Sequence, residues 1–499
     1  MLRYIRIFLA SIFFIGATLL FLDFTGVVHA WLGWIGKVQL LPAILATNIA
    51  VVIGIVLLTL LLGRVYCSII CPLGVLQDVF AKFGKWSKKN RYSYSRPLNI
   101  WRYTIFGVMV IAILLGIGSI VGVLAPYSAY GRIAHSLFSP VWQWGNNLLA
   151  NYSERAGNYT FYTTEIWLRS FAVFLLAAIT MTLLAVLSWK NGRTYCNSIC
   201  PIGTGLGFLS RFSLYRPTIE LSKCNSCGLC ARNCKSSCID SRNHKIDYSR
   251  CVSCMDCIGK CHKSAIKYTY KRYPVPAAVL SDVSDNEQLD DPSRRNFLGL
   301  LAVIGGSSII KAAEKTVDGG LAIIEDKKIP QRNNYISPPG SKSHVNITSK
   351  CTGCQLCVSV CPNQVLRPSG NIENFMHPVA SYERGYCRPE CTKCSEVCPS
   401  GAIQKIDKAE KSSIQIGRAV WIKDNCVPLT DYVSCGNCAR HCPVGAIQMI
   451  PSVAGKEESL KIPAIDTEKC IGCGACEHLC PSRPFSAIYV EGNERHRLI

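Results

Sequence analysis

GRVYCSIICPLG, residues 63–74, and GRTYCNSICPIG, residues 192–203, agree at eight of twelve positions. Each copy closes an uncharged apolar stretch, 40–62 and 170–189. Two more uncharged stretches, 7–22 and 103–124, make a set of four. All are long enough, or nearly so, to cross a bilayer as helices. Arg3 and Arg6 can snorkel and lengthen the first. Asp23-Phe24-Thr25 follows it where a signal peptide would carry a small-residue cleavage site, so the segment reads as retained.

Loop charge sets the expected orientation. The connection after residue 63 holds Arg64, Lys82, Lys85, Lys88, Lys89, Arg91, Arg96 and Arg102, and is expected inside. The connection 125–169 holds only Arg132, Arg155 and Arg169 as basic residues, and is expected outside. Lys190, Arg193, Arg211 and Arg216 return the chain to the inside. Both cysteine pairs then emerge on the inner face, where Cys67, Cys71, Cys196 and Cys200 form a candidate shared metal or cluster site. Cysteines at i and i+4 share a helix face, and four thiolates suit a tetrahedral ion or a cluster. The alternative is that each pair only packs its helix end, with the proline stopping the helix.

The chain carries 29 cysteines in 499 residues, mostly in tight, regular runs. That spacing argues for metal–sulfur ligation over a disulfide framework. CNSCGLCARNC gives Cys224, Cys227, Cys230 and Cys234, and CVSCMDCIGKC gives Cys251, Cys254, Cys257 and Cys261. This is the pattern of a bacterial two-cluster ferredoxin, in which the fourth cysteine of each run serves the other cluster. One set is then Cys224, Cys227, Cys230 and Cys261; the other is Cys251, Cys254, Cys257 and Cys234, with Cys238 able to replace Cys234. Lys235 and His262 stand where proline usually follows the fourth cysteine.

Four more runs follow: Cys351, Cys354, Cys357, Cys361; Cys387, Cys391, Cys394, Cys398; Cys426, Cys435, Cys438, Cys442; and Cys470, Cys473, Cys476, Cys480. Proline follows the last cysteine of each. The first run can pair with the last and the middle two together, or the runs can pair sequentially. Six 4Fe–4S clusters are expected in all, two on the inner side and four on the outer.

Between the two groups lies a linker, 273–292, and then SRRNFLGLLAVIGGSSIIKAA, residues 293–313. Twin arginines before an apolar run look like a Tat export signal and a fifth crossing. Formal net charge is +22. Much of it is topology signal, and thiolate-ligated clusters add negative charge that the formal count omits. No nucleic-acid partner is expected. None of the nine histidines lies inside the four spans, and there is no C-x-x-C-H, which argues against haem b in the spans and against c-type haem. With no cofactor motif in mid-membrane, inner and outer clusters are not obviously wired through this chain, and a mobile quinone or a partner's haem is a candidate bridge.

Together these features resemble two partner proteins of periplasmic nitrate reductase systems. Residues 1 to about 270 resemble the NapH type, through the four spans, the two CxxxCP motifs and the two-cluster run. Residues from about 293 to 499 resemble the NapG type, through the twin arginines and four cluster runs. The ferredoxins MauN and MauM of methylamine utilisation are similar. The resemblance implies quinol oxidation at the membrane, with electrons passed to a periplasmic reductase or cytochrome. CxxxCP helices joined to a ferredoxin also resemble copper-reducing assembly proteins, and a third reading is an anchor and conduit in a larger redox complex.

The expected architecture is multi-domain, an α-helical membrane bundle with α+β bacterial ferredoxin-like domains on both sides. Residues 1–215 form the membrane domain, 216–272 the inner ferredoxin, 273–292 a linker, 293–315 the fifth crossing, and 316–499 the external ferredoxin. The inner bacterial membrane is the expected location, with lipid, the quinone pool and a periplasmic reductase or cytochrome as partners. In the outer stretch APYSAYGRIAHSLFSPVWQWG, 125–145, Arg132 and His135 are candidates to hold a quinone oxygen, against the plainer reading of an interfacial aromatic belt.

Overall fold

The computed structural model describes residues 2–23, 25–86, 92–157, 159–270, 325–453 and 456–499. The chain divides into two compact units, Met1–Lys271 with Lys327–Ile499, and Arg272–Asp326. The linker 273–292 and the twin-arginine segment 293–315 lie outside the described residues.

The helices Leu2–Leu22 and Phe171–Asn191 have 21 residues each and are long and apolar enough to cross a membrane. At 1.5 Å per residue each is about 31 Å long. The other two expected spans are broken. Residues 40–62 form the helices Leu40–Leu45 and Ile49–Leu62, because the Asn48 side chain caps the second helix by accepting from the Val51 N–H. Residues 103–124 fall within Asn99–Leu114 and Gly118–Leu124, with Gly116 at φ 70° between them. Hydropathy sums pass over both signals, a capping asparagine and a left-handed glycine.

Outward residues on these helices are large and apolar at a four-residue repeat: Ile49, Ile53, Leu57 and Leu61, and Phe171, Leu175, Ile179 and Leu183 are all exposed. The segment expected as an outer loop is helical instead, with Pro126–Ile133, a π-turn at Ala134–Phe138, and Ser139–Arg155.

The sequence repeat is a backbone repeat. Gly63 and Gly192 both have φ 69° and end their apolar helices. Short helices Val65–Ile69 and Thr194–Ser198 carry the first cysteine of each pair. Pro72–Trp86 and Pro201–Ser210 then start just after the second cysteine. Proline suits the first helical position, where no N–H partner is needed.

Two modules of paired strands pack against the helices. In the first, Tyr215–Ile219 pairs antiparallel with Ile266–Tyr270, and Ile239–Asp240 with Lys245–Ile246. In the second, Leu366–Pro368 pairs with Pro378–Ala380, Ile414–Trp421 with Ile488–Leu498, and Ile447–Pro451 with Lys461–Ile465. The modules meet opposite ends of the Leu2–Leu22 helix. Arg3 Nε lies 2.9 Å from Asp256 Oδ1 of the first module. Beyond the far end, Lys393 Nζ of the second module donates to the Thr25 carbonyl at 2.9 Å.

A Cβ on Gly192 would lie 2.5 Å from the Lys235 carbonyl, at a φ that side chains rarely adopt. Gly192→Ala is expected to cost about 1–3 kcal/mol and to lower the thermal midpoint of the detergent-solubilised protein. Gly54→Ala, which meets nothing within 4 Å, is expected to leave the midpoint unchanged or raise it. Equal midpoints for the two variants would contradict this packing.

Candidate iron–sulfur sites

In the second module the fourth cysteine of each run crosses to a neighbouring run, and the pairing is sequential. Cys351, Cys354 and Cys357 interact with Cys398. Cys387, Cys391 and Cys394 gather with Cys361. Those four line a cavity of about 500 Å³. Cys426, Cys435 and Cys438 gather with Cys480 around a cavity of about 370 Å³. Cys470, Cys473 and Cys476 complete the arrangement with Cys442. The two halves touch where the Cys387 N–H donates to the Cys473 carbonyl at 2.9 Å.

The donor set fits iron–sulfur clusters. Among the described residues no three His, Cys, Asp or Glu side chains converge on a point for a single ion. The thiols instead surround voids, as ligands of a cluster do. Burial pushes the Cys354 and Cys438 thiols up to about 11 and Cys473 to about 12. Such thiols become thiolates only when a cation offsets the burial. Main-chain N–H groups already point at the crossing sulfurs: Ile403 to Cys398 at 3.4 Å, Ala446 to Cys442 at 3.2 Å, and Ala487 to Cys480 at 3.3 Å.

The first module repeats the scheme. Cys251, Cys254 and Cys257 gather with Cys234 and Cys238 around a cavity of about 380 Å³. Cys230 interacts with Cys224 and Cys227, and Cys261 accepts from the Ala265 N–H at 3.3 Å. Cys238 stands four residues after Cys234, as Ala265, Ala402 and Ala446 stand after Cys261, Cys398 and Cys442. Its Sγ is 3.5 Å from Cys234 Sγ. A hydrogen bond from Cys238 holds Cys234 down to about 7 and lowers Cys251. Cys238 thus stands within hydrogen-bond reach of Cys234, where it can donate to a Cys234 thiolate.

The four motif cysteines come together just beyond the glycines that end the two apolar helices, against the first module. Cys67, Cys71, Cys196 and Cys200 are all buried. Two arginines counted as loop charges clamp them across the repeat. Arg193 NH1 donates to the Cys67 carbonyl at 2.7 Å, and Arg64 NH2 to the Cys196 carbonyl at 3.3 Å. Gln77 Nε2 donates to Cys196 Sγ at 3.1 Å. Arg193 also pairs with Asp78 at 2.8 Å, whereas Arg64 bonds Asn197 and the Ser249 carbonyl of the first module. Arg102, also counted as a loop charge, is buried against Ser249.

On the opposite side the helix Pro126–Ile133 packs against Pro72–Trp86 and Phe171–Asn191. A Cβ on its Gly131 would meet the Cys354 carbonyl of the second module at 2.3 Å. Arg132 of this helix donates to the Gly122 and Val123 carbonyls, at 2.6 and 3.3 Å, and its charge interacts with both Tyr195 and Cys354. Arg132 is thus committed to structure and leaves His135 as the remaining candidate of the outer stretch. His135 is buried, its Nδ1 has no partner, and it lines a cavity of about 480 Å³ with Gln143, Trp167 and Arg169.

Comparison with known proteins agrees with this chemistry. The family described as "4Fe-4S binding domain" matches residues 45–91 and 173–218, the stretches that hold the two motif pairs. The family described as "4Fe-4S dicluster domain" matches residues 350–402 and 433–483. "Methylamine utilization ferredoxin-type protein MauM" of Methylophilus methylotrophus is 26% identical over 39% of this chain and 84% of its own length. "Ferredoxin-type protein NapF" of Escherichia coli K12 is 27% identical over 32% of this chain and 89% of its own length. "Putative electron transport protein YccM" of the same strain is 24% identical over 42% of this chain and 54% of its own. No solved structure matches the chain. The chain is a multi-domain iron–sulfur electron-transfer protein related to the MauM and NapF ferredoxin-type proteins.

Cys238→Ala is expected to keep the iron content and lower the midpoint potential of one cluster, because a donor to its sulfur ligands is lost. Cys234→Ser is expected to lose roughly four iron per chain. Iron analysis with EPR redox titration checks both, and the reverse pattern would make Cys238 the ligand.

Proposed function

We propose that this chain is a bacterial inner-membrane electron-transfer protein that oxidises quinol and passes electrons to a reductase or cytochrome outside the membrane. The observation that carries the reading is the placement of cysteine-rich modules at opposite ends of one lipid-length helix, Leu2–Leu22. Exposed apolar stripes on the neighbouring helices support it, since contiguous exposed apolar surface marks a membrane or partner contact. On the loop-charge rule the first module would lie in the cytoplasm and the second outside. The first half then corresponds to the NapH type and the second to the NapG type.

Each four-cysteine set would hold one 4Fe–4S cluster, two in the first module and four in the second. Bound clusters supply one-electron carriers at fixed positions. The rest of the work falls to the side chains. The cavity beside His135 would take a quinol head group, with the unpartnered Nδ1 accepting one hydroxyl proton, the second proton leaving to water, and the two electrons passing singly to the clusters. Arg169 ties that cavity to the second module by donating to the Val358 carbonyl, one residue beyond Cys357. Trp167, stacked by Arg367 and Arg384, closes the site toward the module.

The test is reduction of the second-module clusters by menaquinol in proteoliposomes, followed by EPR. Wild type is expected to reduce. His135→Ala is expected to slow quinol-dependent reduction at least about tenfold, the lower end of what a positioned base contributes, and to leave reduction by dithionite unchanged. Equal quinol rates in the two proteins would count against the site. A second module shielded from protease added to spheroplasts would count against the topology.

A further inference from the structure

We infer that Cys67, Cys71, Cys196 and Cys200 together hold one shared iron–sulfur cluster, which relays single electrons through the helical bundle between the two modules. The inference rests on the ligand sets proposed above and not on the quinol reading.

The first argument is charge. Arg64 and Arg193 are fully buried. Arg193 has Asp78, but Arg64 makes no carboxylate contact among the described residues, and its Nε has no partner. Its NH2 points at Cys67 Sγ from 3.9 Å. A buried guanidinium without an anion is strongly unfavourable. Four neutral thiols do not supply one; four thiolates on an iron–sulfur core do.

The second argument is symmetry. The Arg64 and Arg193 guanidinium groups each reach into the other copy of the motif. A Cβ on Gly74 would meet the Cys67 carbonyl at 2.3 Å, and one on Gly203 the Cys196 carbonyl at 2.3 Å. Each loop thus folds back tightly on the helix that follows it, and the two copies face one another across the clamp. That arrangement builds one site from two half-sites, as opposed to two separate sites. N–H groups point at its sulfurs, from Gln77 to Cys196 at 3.1 Å and from Gly203 to Cys200 at 3.4 Å.

The third argument is position. Arg193 interacts electrostatically with both Cys196 and Cys254, a first-module ligand. On the other side Tyr195 and Cys354, a second-module ligand, share the charge of Arg132. One residue away from Arg132, the Gly131 backbone lies against the Cys354 carbonyl. The four thiols are therefore flanked by one cluster set on each side. Each transfer oxidises one centre and reduces the next by one electron, with no atom or proton moved. The donor is a one-electron reductant on the cytoplasmic side, and the acceptor a one-electron oxidant outside.

The test uses the full chain, purified anaerobically. Cys67→Ser with Cys196→Ser is expected to remove one component from the EPR redox titration, together with about two to four iron and matching acid-labile sulfide. The remaining components should keep their potentials. In liposomes holding entrapped ferricyanide, external dithionite is expected to reduce the entrapped dye through wild type at least tenfold faster than through the double variant. Should the double variant fail to fold, Gln77→Leu decides. It is expected to lower the potential of that one component and no other. The inference is overturned if no component shifts or disappears, if the site carries copper or zinc without sulfide, or if dye reduction is unchanged. Loss of all module clusters in wild type would instead overturn the ligand sets beneath it.

Discussion

Two guanidinium groups buried among four thiols organise the middle of this protein. Arg64 and Arg193 each hold the cysteine loop of the opposite repeat, so neither repeat can settle without the other. Arg64 also holds the Ser249 carbonyl, and Arg193 accompanies Asp78, which Lys235 of the first module approaches at 3.5 Å. The first module is therefore fixed to the bundle by the same charges that frame the cysteines. Burying such charges costs several kcal/mol each unless they are compensated. Much of the surrounding polar detail, including Asn197, Gln77 and the tight glycines, reads as that compensation.

The second module shows the same logic in a simpler form. Local runs of cysteine supply three ligands, and the fourth comes from the neighbouring run. The Lys411 ammonium is buried against the Arg388 and Cys391 carbonyls and interacts with Cys387. Arg332 pairs with the buried Glu477 next to Cys476. Positive charge gathers where thiolates are expected. This gives part of the formal +22 a structural role.

What was legible in the sequence was what is local. Cysteine spacing is fixed by the reach of three ligands on one loop, so Cys351 to Cys357 could be read directly. The repeat at 63–74 and 192–203 was legible because its glycines and prolines answer local backbone demands. The helix breaks at Asn48 and Gly116 were visible as residues but hidden by hydropathy. The sequential pairing of runs and the crossed arginines depend on long-range packing, which spacing does not encode. Arg64 and Arg193 carried a signal all the same: both motif copies begin Gly-Arg. Counting them as loop charge obscured it. The stretch expected as an outer loop holds the helix Pro126–Ile133, whose Gly131 packs against the Cys354 carbonyl, a long-range contact that residue spacing does not encode.

The most direct measurement is iron anomalous scattering from crystals of the intact, anaerobically handled protein. The account predicts compact iron density inside every module set of four cysteines and a further peak enclosed by Cys67, Cys71, Cys196 and Cys200. Density at the modules with none between the two motif copies would contradict the central site, and a chain without iron anywhere would contradict the whole account.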